Sequence, residues 1–290
     1  MPATDSLLHA TDFHFWELVR DPRLLLNKRI IGAANVWLHR RNEFKQERAF
    51  DWIEAMAATG VRAAVLGGDF TSTATDREFE RARDWVQRLV ESGVAPWAIP
   101  GNHDVYTFES VRRQRFDHYL GEWMPDRFLP ARVYLEGGTP LVFVPTSCPN
   151  WISSRGRIGP LELAAASMLI KSAEEPQIVT GHYPVLEETQ AYRVGRNRRL
   201  RNAHALRRVL GESGRKLLYV AGHVHRFSLE RDPEYPNVTH LTTGTFMGRD
   251  GISEKKGEFT EIHIENGDFR VYRHRKTEAW SRDEIEIVTP

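Results

Sequence analysis

The chain has one cysteine, Cys148, in 290 residues. No disulfide framework can form within it, which suits a reducing compartment. A lone thiol of this kind reads as packing rather than as a nucleophile. Net charge is nearly absent as well: 40 lysines and arginines stand against 39 aspartates and glutamates, a balance of +1. No global field therefore calls for nucleic acid or acidic lipid, and no stable nucleic-acid partner is expected. There is no run of about 18 apolar residues, so no membrane-spanning helix is expected. The stretch MPATDSLLHATDFH lacks a basic region followed by a long apolar core and does not read as a secretory signal. A cytoplasmic location is the expectation. No Ser/Gly-rich linker or low-complexity tract divides the sequence, and its length fits one large domain, residues 1–290.

What is present begins with AIPGNHDVY, residues 98–106. An apolar run stops at Pro100-Gly101, and Asn102, His103 and Asp104 follow without a spacer. A turn alone would explain those residue types. The arrangement recurs, however. Asp12 and His14 end the first apolar run, Asp69 the next, His182 a later one, and His223 with His225 another. In an open α/β sheet, loops at the carboxyl ends of strands share one rim, where ligands bind. Residues spread along the chain would gather there. Carboxylate oxygens and imidazole nitrogens suit divalent first-row metals, and one aspartate can bridge two ions. Asp12 and His14, two apart, would share a face of an extended strand, as would His223 and His225. A glycine precedes Asp69, Asn102, His182 and His223 and allows close backbone approach.

Hydrophobic periodicity gives strands over 6–12, 61–68, 95–99, 140–146, 177–181 and 216–221. It gives helices over 43–59, 76–91, 108–120, 160–174 and about 202–213. The tail reads as a strand and then a hairpin through Asn266-Gly267. Apolar strands early and alternating strands late suggest two packed sheets with helices outside.

The ordered blocks Asp12-Phe13-His14, Gly68-Asp69, Gly101-Asn102-His103-Asp104, Gly181-His182 and Gly222-His223-Val224-His225 resemble those of the calcineurin-like metallophosphoesterases. The resemblance implies an α/β fold, a four-layer αββα sandwich of two mixed sheets flanked by helices. It implies Asp12, His14 and His225 as ligands of one metal, Asn102, His182 and His223 as ligands of the other, and Asp69 as the bridge. His103 matches the histidine that faces the leaving group, and Asp104 a residue that orients it. The implied cofactors are two divalent or trivalent ions, manganese, iron or zinc. The implied reaction is hydrolysis of a small phosphorylated substrate by a metal-bridging hydroxide. The pattern is most similar to the class III cyclic-nucleotide phosphodiesterases. A pyrophosphatase or phosphomonoesterase acting on a nucleotide-sugar lipid or another metabolite is the alternative. A nuclease and a non-catalytic metal-binding scaffold stand further off.

Two segments bear on substrate choice. Residues 15–42, aromatic and basic, form an insertion. Packing on the sandwich is favoured over a cap on the metal site or peripheral contact with a membrane surface. The arginine-rich stretch 191–210, with Arg198 and Arg199, and the loop carrying Arg155 and Arg157 are candidates for binding phosphate. Solvated arginines would look the same in sequence. His9 reads as a core residue or one supporting the site.

Overall fold

The computed structural model describes residues 5–18, 29, 46, 48–186, 196–248 and 256–289. Two six-stranded sheets form the centre. The first has the order β12-β11-β10-β1-β2-β3, with β1 (Asp5–Ala10), β2 (Ala63–Leu66), β3 (Ala95–Ala98), β10 (Gly257–Glu265), β11 (Asp268–Lys276) and β12 (Trp280–Ile285). The second has the order β4-β5-β6-β7-β9-β8, with β4 (Ala131–Tyr134), β5 (Pro140–Phe143), β6 (Gln177–Thr180), β7 (Leu217–Ala221), β8 (Ser228–Arg231) and β9 (Val238–Thr242). Strands β1 to β3 run parallel, as do β5, β6, β7 and β9. The remaining pairs are antiparallel, so both sheets are mixed.

The alternation of side chains along each strand builds the layers. Leu7 and Val65 meet Leu141, Phe143, Ile178, Leu218 and Val220 in a core between the sheets. Their neighbours Leu8, Ala64 and Leu66 face the other way, onto α1 (Arg48–Ala57) and α2 (Asp76–Glu91). In the second sheet Val142, Val179, Leu217 and Tyr219 pack on α5 (Pro160–Lys171) and α6 (Ala203–Glu212). The result is helix, sheet, sheet, helix. Strands buried on both faces read as continuous apolar runs, which is how the sequence shows them.

Helix α2 starts where its capping chemistry dictates. Thr75 accepts from the Glu78 amide, and Glu78 reaches back to the Thr75 amide, a reciprocal box. Pro160 opens α5 at its first turn. The helix expected over 108–120 is broken: α3 (Phe108–Arg112) and α4 (Arg115–Leu120) meet at Gln114, whose φ of 49° ends the first. The hairpin at Asn266-Gly267 has φ of 52° and 83°, as a tight two-residue turn requires. Of the insertion at 15–42, only residues 15–18 and Arg29 are described. Its role as cap, packed segment or membrane contact otherwise lies outside the described residues, as do residues 191–195 of the basic stretch.

Candidate metal centre

The carboxyl ends of β1, β2 and β3 in one sheet and of β6 and β7 in the other supply every candidate ligand. The two-residue spacings do not work through an extended strand. Strand β1 ends at Ala10, and Asp12 and His14 leave it with φ of 60° and 52°. His223 and His225 follow β7 with φ of 71° and 56°, and Asp69 has 56°. Left-handed backbone at a residue with a Cβ costs roughly 1–3 kcal/mol and persists only where the surroundings hold it. Here they do: the Asp12 amide donates to Gly68 O at 2.9 Å and the His14 amide to Asp69 O at 2.8 Å. The His223 amide donates to Asp12 Oδ2 at 2.9 Å. Close approach is also built in. A Cβ on Gly101 would overlap the Asp69 amide and carboxylate, and one on Gly222 would overlap Thr11 and Asp12.

Two donor clusters result, and a third grouping, His14, Asp69 and His103, overlaps the first at His14 and the second at Asp69. In the first, His225 Nε2 lies 3.2 Å from Asp12 Oδ1 and 2.9 Å from His14 Nε2. In the second, His182 Nε2 lies 3.4 Å from Asp69 Oδ2 and 3.3 Å from Asn102 Oδ1, with His223 alongside. Asp69 Oδ2 is also 3.9 Å from His14 Nε2, so this carboxylate stands between the clusters.

Backbone carbonyls fix the imidazoles. His182 Nδ1 donates to Gly67 O at 2.8 Å, which turns Nε2 toward Asp69 and Asn102. His223 is turned the other way: its Nε2 donates to Arg198 O at 2.6 Å. Its Nδ1 is buried without a hydrogen-bond partner among the described residues. A buried lone pair beside a carboxylate and a second imidazole fits a metal ligand. The charges fit a cation as well. Burial opposes charge on Asp12 and Asp69, yet the facing imidazoles hold both carboxyls below the ordinary range. Burial draws His182 down, but Asp69, Asp12 and the Gly67 carbonyl lift it to about 9. Burial and the neighbouring His182 push His223 down to about 4. The carboxylates thus hold positive charge at His182, which a metal ion can replace. His9 is fully buried, with Nδ1 2.7 Å from Thr243 Oγ1, in the supporting place its strand position suggested.

His103 lies at the edge of the clusters, half-buried. Its amide donates to Asp69 Oδ1 at 2.7 Å, and its ring stacks on Tyr106 at 5.3 Å. The expectation that Asp104 orients this ring is corrected here. His103 Nδ1 lies 2.7 Å from Ser72 O. The Asp104 carboxylate instead accepts from the amides of Gly101 at 2.8 Å, Phe70 at 3.2 Å and Thr71 at 2.9 Å, and from the Thr71 hydroxyl at 3.0 Å. It points into the backbone and ties the loop after β2 to the loop after β3. Burial and the charge of Asp69 raise it to about 7.

Among the described residues, the side chains of Arg155, Arg157 and Arg198 make no hydrogen bond or ion pair with the candidate ligands. Arg157 and Arg198 are exposed, and Arg155 and Arg199 are half-buried. Arg198 enters the site through its carbonyl only. The groups that sequence reasoning missed include the main-chain carbonyls of Gly67, Ser72 and Arg198, which no side-chain motif announces, and the ring of Tyr106 on His103.

A model of the calcineurin-like phosphoesterases matches residues 6–227. The chain belongs to the calcineurin-like phosphoesterase family. Membership and the Asp/His clusters together imply a metal-dependent phosphoester hydrolase with a dinuclear transition-metal centre. Solved structures share the fold of this phosphoesterase. A dimetal phosphatase from Danio rerio is 13% identical with a TM-score of 0.60, over 97% of this chain and 98% of its own. The purple acid phosphatase PPD1 from yellow lupin is 9% identical with a TM-score of 0.58, over 100% of this chain and 54% of its own. No curated protein matches in sequence.

Proposed function

We propose that this phosphoesterase hydrolyses phosphodiesters, cyclic nucleotides or esters of similar kind, at a two-metal centre bridged by Asp69. The observation that carries the reading is the position of Asp69, whose Oδ2 is 3.9 Å from His14 Nε2 and 3.4 Å from His182 Nε2. One carboxylate within reach of both clusters is what a bridge requires. Asp12, His14 and His225 would hold one ion, and Asn102, His182 and His223 the other. Bound manganese, iron or zinc would supply a water acidified toward neutrality and a sink for charge on the phosphoryl oxygens.

The chain's own residues complete the chemistry. His103 Nδ1–H donates a hydrogen bond to Ser72 O, so Nε2 is the nitrogen that gives a proton to the departing alkoxide. Tyr106 stacks on the ring and limits its rotation. No covalent intermediate is needed, and Cys148, which is in no disulfide, takes no part. The diester preference rests on the resemblance to the class III phosphodiesterases. Arg155, Arg157, Arg198 and Arg199 stay candidates for a distal phosphate. A cytoplasmic location belongs to the same proposal and rests on the lone cysteine. No described helix is long and apolar enough to cross a membrane.

A substrate panel with manganese added tests the reading. It compares cyclic nucleotides, a bis-aryl phosphodiester, an aryl monoester, a nucleotide-sugar lipid and single-stranded DNA. The diesters of small size should give the highest kcat/KM. A higher value for the monoester or the nucleotide-sugar lipid would overturn the diester assignment.

A further inference from the structure

We propose that Arg29 is a positioning residue for His103, acting through the loop 71–75; this rests on the reading of His103 as the proton donor. Arg29 comes from the segment 15–42 and is 1% exposed, one of the largest fully buried side chains. Its Nε donates to Thr73 O at 2.9 Å and its Nη2 to Ala74 O at 3.0 Å. Its Nη1 pairs with Glu109 Oε2 at 2.9 Å. Three faces of one guanidinium thus meet three acceptors.

The same loop is held from other sides. Arg115 Nη1 donates to Ala74 O at 2.8 Å, and its Nη2 donates to Glu109 Oε1 at 3.0 Å. Glu78 accepts from the amides of Thr73 at 2.8 Å and Thr75 at 3.2 Å. Between them sits Ala74 with φ of 56°, left-handed backbone that an alanine does not adopt by preference. The loop keeps this shape because the clamp holds it.

The adjoining residue carries the consequence. Ser72 O receives His103 Nδ1 at 2.7 Å, and the Ser72 hydroxyl donates to His14 O at 3.2 Å. The Ser72 carbonyl shares its peptide unit with the Thr73 amide, which Glu78 holds, and the next carbonyl, Thr73 O, is held by Arg29. Without the guanidinium, Thr73 O loses its donor and Ala74 O keeps Arg115 Nη1 alone among the described donors, so the left-handed turn at Ala74 loosens and Ser72 O shifts with it. His103 then loses the acceptor that keeps its proton on Nδ1. Packing alone does not explain the residue type. A buried guanidinium is expensive to desolvate, and an apolar side chain of its volume often stabilises as well. What the arginine adds is direction, from a planar fork that a lysine cannot reproduce.

The test compares native protein, His103→Ala, Arg29→Met and Arg29→Lys on phosphodiesters with leaving groups from nitrophenol to alkyl alcohol. Metal content and the ¹⁵N shifts of the His103 ring in zinc-loaded protein are measured alongside. Both Arg29 variants should keep both metals and an unchanged KM. Their kcat should fall about 10-fold or more for alkyl leaving groups and little for nitrophenol, within the roughly 10²–10⁴-fold range of a full acid. The ¹⁵N shifts should move from one tautomer toward a mixture. Arg29→Lys retains the charge beside Glu109 and supplies the same readouts if Arg29→Met does not fold. An equal loss across leaving groups, or none, with His103→Ala still selective, would overturn the proposal and leave the role of His103 standing. A His103→Ala variant that shows no leaving-group dependence would remove that role and the proposal together.

Discussion

Asp104 shows how far residue type alone could be read. The block Gly101-Asn102-His103-Asp104 lies at the candidate metal centre, yet it does not say which way each side chain points. Asn102 turns to His182 and His103 to Ser72, whereas Asp104 turns into the backbone. The metal-ligand types were legible because only carboxylate, amide and imidazole groups offer such donors. Their carbonyl partners were not, since every residue has one. The corrected role gives a prediction. In Asp104→Asn, an amide faces N–H donors, and each unsatisfied buried donor costs about 1–3 kcal/mol. The melting temperature should fall by several degrees, while the leaving-group dependence of the metal-loaded variant matches that of the native protein. A change in that dependence would restore Asp104 as the partner of the His103 ring. Rates across the leaving-group series, read beside a thermal melt, decide between them.

At the scale of elements, the central strands and the capped helix α2 were plain in the sequence. The three strands that were missed, β4, β8 and β12, all lie at sheet edges. Their burial patterns are mixed, and β12, WSRDEI, has no buried residue. A strand with one neighbour and solvent beside it needs no apolar run, so periodicity carries little there. The edge of the second sheet is tied to α6 by ions instead. Asp232, buried, accepts from Arg207 Nε and Nη2 at 2.8 Å and lies 2.9 Å from His240 Nε2. Burial disfavours its charge, but Arg207 and His240 hold its carboxyl well below the ordinary range. The native state therefore favours the carboxylate more than the unfolded chain does. The stabilisation is fully present above the unfolded pKa of about 3.9 and is lost as pH falls below it. Asp232→Asn should lower stability at neutral pH by roughly 1–3 kcal/mol, since Arg207 loses a bidentate acceptor but keeps Glu234 at 3.6 Å. It should also flatten the acid side of a plot of melting temperature against pH. An unchanged acid limb would show that Asp232 is not what titrates.

The whole molecule joins its two sheets at the proposed metal centre. Asp12, His14, Asp69 and Asn102 come from loops of the first sheet, and His182, His223 and His225 from loops of the second. Direct contacts already cross this seam, such as His182 Nδ1 to Gly67 O at 2.8 Å. Ions held by both sides would cross-link the layers and offset the left-handed strain at five of the ligands. Saturation at about 100 times Kd adds roughly 2.7 kcal/mol. Manganese should therefore raise the melting temperature of chelator-treated protein by on the order of 5–10 °C, as a thermal melt with and without the ion would show. The layer order was readable from sequence, but the seam was not, because no periodicity records which loops of two sheets face each other. The most direct test counts metal in protein purified without chelator. Native protein should hold two ions per chain, the number the bridge demands. Asn102→Ala should lose chiefly one of them. Asp69→Asn should fall well below that and lose turnover with it. Two ions and native turnover in Asp69→Asn would contradict the bridging role on which the account stands.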